Sequence, residues 1–309
     1  MRVGSAGSLK HCHLSSFHRP HRRNEFPRGG ARKIAAVKNG GIVGEQYMLT
    51  QEEKEKFHND GYVHLKGVMT DGELVEVIDP VYKKLTSGEI HIEGNDLCDM
   101  SGAKDRTPDE FTVYNVMLPR KYYPLWQNSL FEKRCQSIAD QLCDGGMGID
   151  YDQILAKKPN SPDAIFAWHQ DMAYWPPTKA DPATATCWLA VDDSTVENGC
   201  MRFIPGSHRE ADLRKHAPVG KTRADSHALY TTVDERVDNI VEVPINRGDI
   251  TVHNERVAHG SGPNNSDNWR RAYVLAFRKL DCISEERSIG FTHSHNDDTS
   301  WDVFRQHGL

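Results

Sequence analysis

The run Phe166–Asp171 contains the first side chains that could do chemistry, His169 and Asp171. In a β-strand, side chains two positions apart lie on the same face, so an imidazole and a carboxylate can point to one site. Two histidines and one carboxylate form the facial triad that holds Fe(II) on one side and leaves the opposite positions open for substrate and O2. The pair therefore predicts two thirds of such a site, although a histidine in so short a motif can also serve only as a hydrogen-bonding residue.

Two further histidines could supply the missing ligand. His253 ends the run Gly248–His253, which is typical of a turn entering a strand, and His259 directly precedes the glycine-rich stretch Gly260–Asn264. A strand holds a side chain rigidly, while neighbouring glycines allow close approach of the backbone. We expect His259 to be the third ligand, with His253 as the alternative in a packing or hydrogen-bonding role, because spacing alone does not separate them.

A pair of arginines, Arg270 and Arg271, opens the strand-like run Arg271–Phe277. A guanidinium beside a metal suits a dicarboxylate cosubstrate such as 2-oxoglutarate, since one end can chelate the metal while the far carboxylate forms a bidentate pair with arginine. Side chains alternate along a strand, so only one of the two can point inward and the other is an exposed charge at the strand end.

The composition excludes several classes of protein. The chain has 309 residues, 38% hydrophobic and 27% charged, with a net charge of −6 and a mean hydropathy of −0.65. No apolar run approaches the ~20 residues that cross a bilayer, so we expect no membrane insertion. Binding to nucleic acid requires an excess of basic side chains that contact the phosphates, so we expect no nucleic-acid partner for this acidic chain. Seven cysteines without a CxxC pair favour reduced thiols and an intracellular location.

The first residues differ in composition from the rest. Residues 1–38 hold nine Lys or Arg and one acidic residue, whereas the remaining chain holds 29 basic and 43 acidic residues. We therefore expect a disordered basic arm over residues 1–46. A transit peptide has this composition, and so does a solvated tail; the location is organellar (plastid or mitochondrion) in the first case and cytoplasmic in the second. One folded domain is expected over residues 47–309.

Helical patterns precede strand patterns along the folded part. A capping box at Thr50–Glu53 predicts a helix through Phe57, and a second helix is predicted from about Thr70 to Leu85, with Pro80 either kinking it or lying in its early turns. A third helix is predicted from about Leu125 to Leu142, and strands are predicted at 61–65, 153–156, 165–168, 186–191, 201–204, 240–243, 250–253 and 271–277. This order predicts an α+β fold whose second half is a sandwich or jelly roll.

Taken together, the motifs resemble the phytanoyl-CoA dioxygenase (PhyH-like) family over residues 48 to 282. The resemblance is carried by four runs in the same order as in the family: His169-Gln170-Asp171 with Tyr174-Trp175, Cys187 to Asp193, Glu197 to His208, and His259 to Asn264 leading to Arg270. It implies a double-stranded β-helix (jelly-roll, cupin-like) core with flanking N-terminal helices. It also implies an Fe(II)- and 2-oxoglutarate-dependent dioxygenase that consumes O2.

The resemblance also implies roles for individual residues. His169, Asp171 and His259 match the iron ligands, and Arg270 matches the arginine that pairs with the distal carboxylate of 2-oxoglutarate. The positions that commonly line the cosubstrate pocket are matched by Gln170, Lys157 and Ser261. Lys158 follows Lys157 where the family usually has proline, so either lysine could face the pocket. His208 is read as a scaffold residue.

The expected reaction is oxidation of an unactivated C–H bond of a small polar metabolite, most simply hydroxylation, with release of succinate and CO2. Asp171 argues against a halogenase, in which a small residue leaves room for halide. An oxidative cyclase or desaturase of secondary metabolism, for example on amino-acid-derived, kainoid-like compounds, would use the same iron centre. From other classes, a jelly-roll metal hydrolase or isomerase, or a binding protein, remains an alternative.

The aromatic residues beside the metal motif could form the substrate pocket. Trp168, Tyr174 and Trp175 are the candidates, together with Met172, although buried aromatic residues more often belong to a core. The histidine-rich ends, which include His293-Ser294-His295, have no ligand spacing of a structural zinc site and are expected to be tails. The sequence does not distinguish a monomer from a homodimer.

Overall fold

The computed structural model describes residues 40–101, 106–176, 183–220 and 226–297. The helices in these ranges are α1 (Gln51–Asp60), α2 (Asp71–Glu73), α3 (Asp79–Thr86), α4 (Pro119–Tyr122), α5 (Leu130–Leu142) and α6 (Leu280–Ser288). The strands are β1 (Gly41–Val43), β2 (Gln46–Met48), β3 (Tyr62–Leu65), β4 (Leu97–Asp99), β5 (Val113–Met117), β6 (Met147–Lys157), β7 (Phe166–His169), β8 (Thr184–Ala190), β9 (Met201–Phe203), β10 (His216–Pro218), β11 (Leu229–Thr231), β12 (Val241–Val243), β13 (Ile250–His253), β14 (His259–Ser261) and β15 (Arg270–Lys279). Most of the predicted basic arm lies outside the described residues, so its role stays a prediction.

The predicted start of α1 at a capping box is confirmed, whereas the helix continues three residues beyond the predicted end at Phe57, to Asp60. The Thr50 hydroxyl accepts a hydrogen bond from the Glu53 backbone N–H (3.1 Å), and the Glu53 carboxylate accepts one from the Thr50 N–H (2.7 Å). The helix ends at Gly61, whose φ of 82° is the left-handed conformation that glycine adopts without strain. This turn leads directly into β3.

The second predicted helix is present but is not uniformly α-helical. A five-residue π-helical turn, Leu74–Ile78, lies between α2 and α3. Pro80 lies in the first turn of α3. Proline is tolerated there because the first backbone N–H groups of a helix have no acceptor within it, so the absent N–H costs no hydrogen bond. The third predicted helix begins later than expected, at Leu130 after the cap Ser129. Leu125 precedes it in a short 3₁₀ turn and is 80% exposed, so it does not contribute to the buried face.

Two antiparallel sheets hold most of the strands. The larger has the order β3-β13-β8-β15-β6-β5-β4, and the smaller has the order β12-β9-β14-β7. Two further pairs, β1 with β2 and β10 with β11, form separate hairpins. The combination of early helices with later antiparallel strands confirms the predicted mixed fold. Seven strands (β1, β2, β4, β5, β10, β11 and β14) and two helices (α4 and α6) were not predicted.

The two faces of the larger sheet pack against different parts of the protein, because successive side chains of a strand point to opposite faces. On β15, Tyr273 and Leu275 belong to one apolar cluster, which also contains the buried apolar residues of α1, α3 and α5. Ala272 and Val274 belong to a second cluster with Phe203 of the smaller sheet. The helices therefore cover one face of the larger sheet, and residues on the opposite face meet the smaller sheet. None of the helices in the described ranges is long and apolar enough to cross a membrane.

Candidate metal and cosubstrate site

The three predicted metal ligands lie together in the structure. His169 ends β7 and is directly opposite His259 of the adjacent antiparallel strand β14, while Asp171 begins the 3₁₀ turn after β7. The Asp171 Oδ1 atom lies 3.4 Å from His169 Nε2 and 3.5 Å from His259 Nε2. One ligand atom from each residue lies within 4.8 Å of the others, and all three side chains are buried.

Backbone carbonyls orient both imidazoles of this triad. The Nδ1 atom of His169 lies 2.8 Å from the Ala167 carbonyl, and that of His259 lies 3.0 Å from the Val257 carbonyl. A hydrogen bond from Nδ1–H to a carbonyl leaves Nε2 as the lone-pair atom, which is the arrangement usual for metal-bound histidine. The sequence did not predict these carbonyls, because they act through the backbone.

His253, the alternative third ligand, takes a different position. Its Nε2 atom lies 3.1 Å from Asp171 Oδ2, the oxygen that does not face His169 and His259. The Thr186 hydroxyl lies 3.4 Å from the same oxygen. Two donors thus hold the outer oxygen of Asp171 and direct Oδ1 toward the two other imidazoles. The geometry favours His259 as the ligand and His253 as a residue that orients the carboxylate.

The electrostatics of the triad suit a divalent cation. Burial alone would raise the pKa of Asp171, but the surrounding imidazoles of His259, His169 and His253 outweigh it and hold that pKa well below its ordinary value. Burial, reinforced by His169 and His253, lowers the pKa of His259 well below its ordinary value. An ionised carboxylate beside neutral imidazole is the donor set that Fe(II) and similar ions require.

Arg270 lies beside the triad as a buried cation with unsatisfied donors. It begins β15 opposite Lys157 on β6 and is 2% exposed. One N–H donates weakly to the Ser261 hydroxyl (3.4 Å), whereas Nε and Nη1 have no partner in the described part of the chain. The guanidinium lies 5.1 Å from the Trp188 ring centroid. Burial lowers the pKa of Arg270 to about 10.

A second buried cation, Lys157, adjoins Arg270. Its ammonium group donates to the Ser261 hydroxyl (2.7 Å) and to the Gly262 carbonyl. Burial, followed by the positive charge of Arg270, lowers the pKa of Lys157 well below its ordinary value. Within the described ranges, no carboxylate forms an ion pair with either cation. Two buried bases without an acid form a pocket whose missing partner is an anion.

The neighbours of these cations point outward. Arg271 binds Asp192 at 2.6 and 2.8 Å and is only partly buried, as alternation along β15 requires. Lys158 donates to the backbone carbonyls of Pro108 and Asp109. Arg270 and Lys157 are thus the inward members of the two pairs that the sequence could not resolve.

Two predicted pocket residues lie elsewhere. The Gln170 side chain is used by the scaffold, because its NH₂ donates to the Arg256 carbonyl (2.6 Å) and its oxygen accepts from the Arg214 N–H (2.8 Å). Gln170 lies between His169 and Asp171, so alternation turns it away from the site. Trp168 is likewise turned away and lies against the Arg202 guanidinium.

A cavity of about 260 Å³ adjoins the triad, and Tyr174 and Trp175 are among the residues that line it. The Tyr174 ring meets the His169 ring edge-on at 5.5 Å, and its hydroxyl accepts from the Leu229 N–H. Met172 does not line this cavity and packs beside Met117, Tyr151 and Trp175. The remaining wall includes side chains that the sequence did not indicate: Tyr151, Gln153, Phe166, His227, Phe291 and His295.

The expectation that His293-Ser294-His295 is a tail is wrong. His293 is 7% exposed and binds Asp150, while His295 lies on the cavity wall and stacks on His227. His293 together with Asp150 and Glu286 could geometrically hold an ion. The Arg278 guanidinium already binds both acids, however, at 2.9 and 2.6 Å. A guanidinium between the carboxylates makes this cluster an ion-pair network.

Comparison with known proteins places the chain among dioxygenases. It is 24% identical over 235 residues to the "Probable alpha-ketoglutarate-dependent hypophosphite dioxygenase" of Stutzerimonas stutzeri, covering 74% of this chain and 79% of that protein. It is 25% identical over 264 residues to "Phytanoyl-CoA dioxygenase domain-containing protein 1" of Danio rerio, covering 74% and 89%. Matches to relatives from Dictyostelium discoideum and Caenorhabditis elegans span only 39% and 54% of those proteins.

A solved structure is also similar to this chain. EvdO2 from Micromonospora carbonacea var. aurantiaca, complexed with 2-oxoglutarate, superposes with a TM-score of 0.61 at 28% identity, covering 78% of this chain and 94% of that one. The family described as phytanoyl-CoA dioxygenase (PhyH) matches residues 57–272, a span that contains His169, Asp171, His259 and Arg270. On this match over most of its length, the chain belongs to the phytanoyl-CoA dioxygenase family.

Proposed function

We propose that this protein is an Fe(II)- and 2-oxoglutarate-dependent dioxygenase that oxidises a C–H bond of a small metabolite. His169, Asp171 and His259 would hold the iron. Arg270 would bind the distal carboxylate of 2-oxoglutarate, with Ser261 as a neighbouring donor and Lys157 behind it. The two antiparallel sheets that carry these residues form, in this proposal, a double-stranded β-helix, and the superposition on EvdO2 supports it.

The observation that carries the proposal is the buried Arg270 beside the triad. Two of its N–H groups lack partners within the described ranges. An unpaired buried charge costs several kcal/mol unless a ligand of opposite charge pairs with it. A cosubstrate with two carboxylates can meet the guanidinium with one end and the metal with the other. A hydrolase or isomerase on the same triad would have no use for an arginine buried in this way.

The chain's own residues perform binding, orientation and exclusion of water. His253 and Thr186 orient Asp171, and the backbone carbonyls of Ala167 and Val257 orient the imidazoles. Bound iron would supply the O2 chemistry that converts 2-oxoglutarate to succinate and CO2 and oxidises the substrate. Tyr174 packs edge-on against His169 at the cavity wall and would reduce the solvent-accessible surface of that ligand.

The cavity supports a small substrate. Its volume of about 260 Å³ is just below the range for small-molecule sites, roughly 300–1,000 Å³. A whole acyl-CoA would exceed it. Hydroxylation is the simplest outcome, because it requires only that a substrate C–H bond be held beside the open side of the triad; cyclisation or desaturation would need the same residues and a different placement of the substrate.

Omission experiments test the proposed reaction. Purified protein should form succinate from 2-oxoglutarate only when Fe(II), 2-oxoglutarate and O2 are all present, and Asp171→Ala should abolish this formation. Asp163→Ala is the matched control, because Asp163 is exposed on the preceding loop and should leave the rate unchanged. Succinate formation by Asp171→Ala at the wild-type rate, or its complete absence in the wild type under all conditions, would contradict the proposal.

A further inference from the structure

The segment of residues 291–297, here the C-terminal segment, forms one wall of the cavity beside the triad. It contributes Phe291, His293, Ser294, His295 and Asp297 to the lining. The Asp96 carboxylate anchors it by accepting from the Ser294 hydroxyl and from the His295 N–H, both at 2.8 Å. A wall that is tied to the fold in this way can present a side chain to a substrate in a defined position.

His293 is the member of this segment whose position is most constrained. Its φ of 67° is in the left-handed region, which non-glycine residues adopt at an energetic cost and which is found disproportionately at functional sites. Its ring lies 4.3 Å from the Tyr151 ring and 4.5 Å from the Phe291 ring. Packing on both neighbours preorganises the imidazole at the cavity wall.

The two ring nitrogens of His293 have different surroundings. Nε2 lies 2.8 Å from Asp150 Oδ2 and 3.6 Å from Glu286 Oε2, so it donates to the buried acids. Nδ1 has no hydrogen-bond partner in the part of the chain that the structure describes. Because the ring also lines the cavity, Nδ1 is the atom left for a bound molecule.

The charges directly behind the ring balance one another, while the cavity-lining Asp297 carboxylate accepts hydrogen bonds from the Thr292 N–H and hydroxyl. The buried acids Asp150 and Glu286 are met by Arg278, which binds both, and by Arg287, which binds Asp150 at 2.6 Å. The two guanidinium groups already balance the two carboxylates. Burial disfavours the charged imidazole, but Asp150 and Glu286 outweigh it and raise the pKa of His293. Because Nε2–H already donates to Asp150, protonation of the ring places its second N–H on Nδ1.

We propose that His293 is a specificity-determining residue whose Nδ1–H donates to a carboxylate of the substrate. The substrate class is then a small carboxylic acid whose apolar body contacts the aromatic side chains Phe166, Trp175 and Phe291 of the cavity. A hydrogen bond from a cationic donor to a carboxylate is stronger than one between neutral groups, and no lysine or arginine lines this cavity within the described ranges. The inference rests on the proposed function, since it concerns the substrate of the same site.

Matched acids and amides test this inference on the complete protein loaded anaerobically with Fe(II) and 2-oxoglutarate, so that the Arg270 pocket is filled. The probes are phenylacetate with phenylacetamide, indole-3-acetate with indole-3-acetamide, and hexanoate with hexanamide, with dissociation constants from ligand-observed NMR. We expect each acid to bind at least about tenfold tighter than its amide in the wild type. His293→Gln should remove this preference, whereas the matched control His295→Gln should retain it.

The outcomes separate this inference from the proposed function. Absence of an iron–2-oxoglutarate complex in the wild type would overturn the proposed function and this inference with it. A formed complex without preference for any acid, or a preference lost in His295→Gln and kept in His293→Gln, overturns the His293 assignment alone. If His293→Gln does not fold, a crystal structure of the wild type with phenylacetate decides: a carboxylate oxygen within about 3.2 Å of Nδ1 supports the assignment, and any other position refutes it.

Discussion

Replacing Arg270 by methionine should make the protein more stable in the absence of 2-oxoglutarate and unable to respond to it. The guanidinium is buried without a carboxylate partner in the described part of the chain, and burial lowers its pKa from 12.5 to about 10, which corresponds to about 3 kcal/mol of lost solvation. Its contacts with the Ser261 hydroxyl and the Trp188 ring return roughly 1–2 kcal/mol. Methionine fills a similar volume without charge. The expected gain in the free energy of unfolding is therefore about 1–2 kcal/mol.

The same substitution should weaken 2-oxoglutarate binding severely. Removing one partner of a buried, hydrogen-bonded charge pair costs about 2–5 kcal/mol, or at least about thirtyfold in affinity. At a 2-oxoglutarate concentration about 100-fold above its Kd, the metal-bound wild type should gain about 2.7 kcal/mol of stability from 2-oxoglutarate. Arg270→Met should gain at most about 0.9 kcal/mol from 2-oxoglutarate under these conditions.

Urea unfolding in the presence of Mn(II), with and without 2-oxoglutarate, measures both effects without turnover. Arg271→Met is the matched control, since Arg271 pairs with Asp192 outside the pocket. It should lose at most about 1 kcal/mol of stability and keep the full response to 2-oxoglutarate. The reasoning is refuted if Arg270→Met keeps the 2-oxoglutarate response, or if Arg271→Met loses it.

Three further predictions concern side chains around the site. Burial raises the pKa of Asp152 from 3.8 to about 7. The folded state therefore holds a proton that the unfolded state releases above about pH 4, and the stability of the wild type falls as the pH rises to about 7. In urea unfolding, the stability of Asp152→Asn relative to wild type should increase by about 3 kcal/mol between about pH 5 and pH 8, and a stability difference that does not change with pH would contradict this. His253→Leu should weaken Fe(II) binding about 10- to 100-fold, because Asp171 loses the donor that orients it; unaltered binding in a metal titration would remove that role. Gln170→Leu should lower the free energy of unfolding by about 1–3 kcal/mol and leave the Kd for 2-oxoglutarate unchanged. A large rise in that Kd would show that Gln170 does line the cosubstrate pocket.

The parts of the site that could be predicted from the sequence are those governed by strand alternation. His169 and Asp171 share a face because they are two residues apart, and alternation required that only one of Arg270 and Arg271 point inward. The same rule argues against Gln170, which lies between two inward residues. The resemblance to the family nevertheless placed Gln170 in the pocket. Local periodicity was the better guide at this position.

The far wall of the cavity could not be predicted, because it is made by contacts between distant parts of the chain. The C-terminal segment follows α6 and is held by Asp96, about two hundred residues earlier. No local pattern in His293-Ser294-His295 distinguishes a buried wall from a tail. The choice between His253 and His259 also depended on three-dimensional geometry, since both histidines lie on strands that reach Asp171.

Anaerobic titration with Fe(II) and 2-oxoglutarate tests the central claim most directly. The wild type should develop the weak visible charge-transfer band of an iron-bound 2-oxo acid only when both components are present, and His259→Ala should not develop it. A band that persists in His259→Ala and disappears in His253→Ala would transfer the third ligand to His253. Absence of the band in the wild type would contradict the assignment of this site as an Fe(II)- and 2-oxoglutarate-dependent centre.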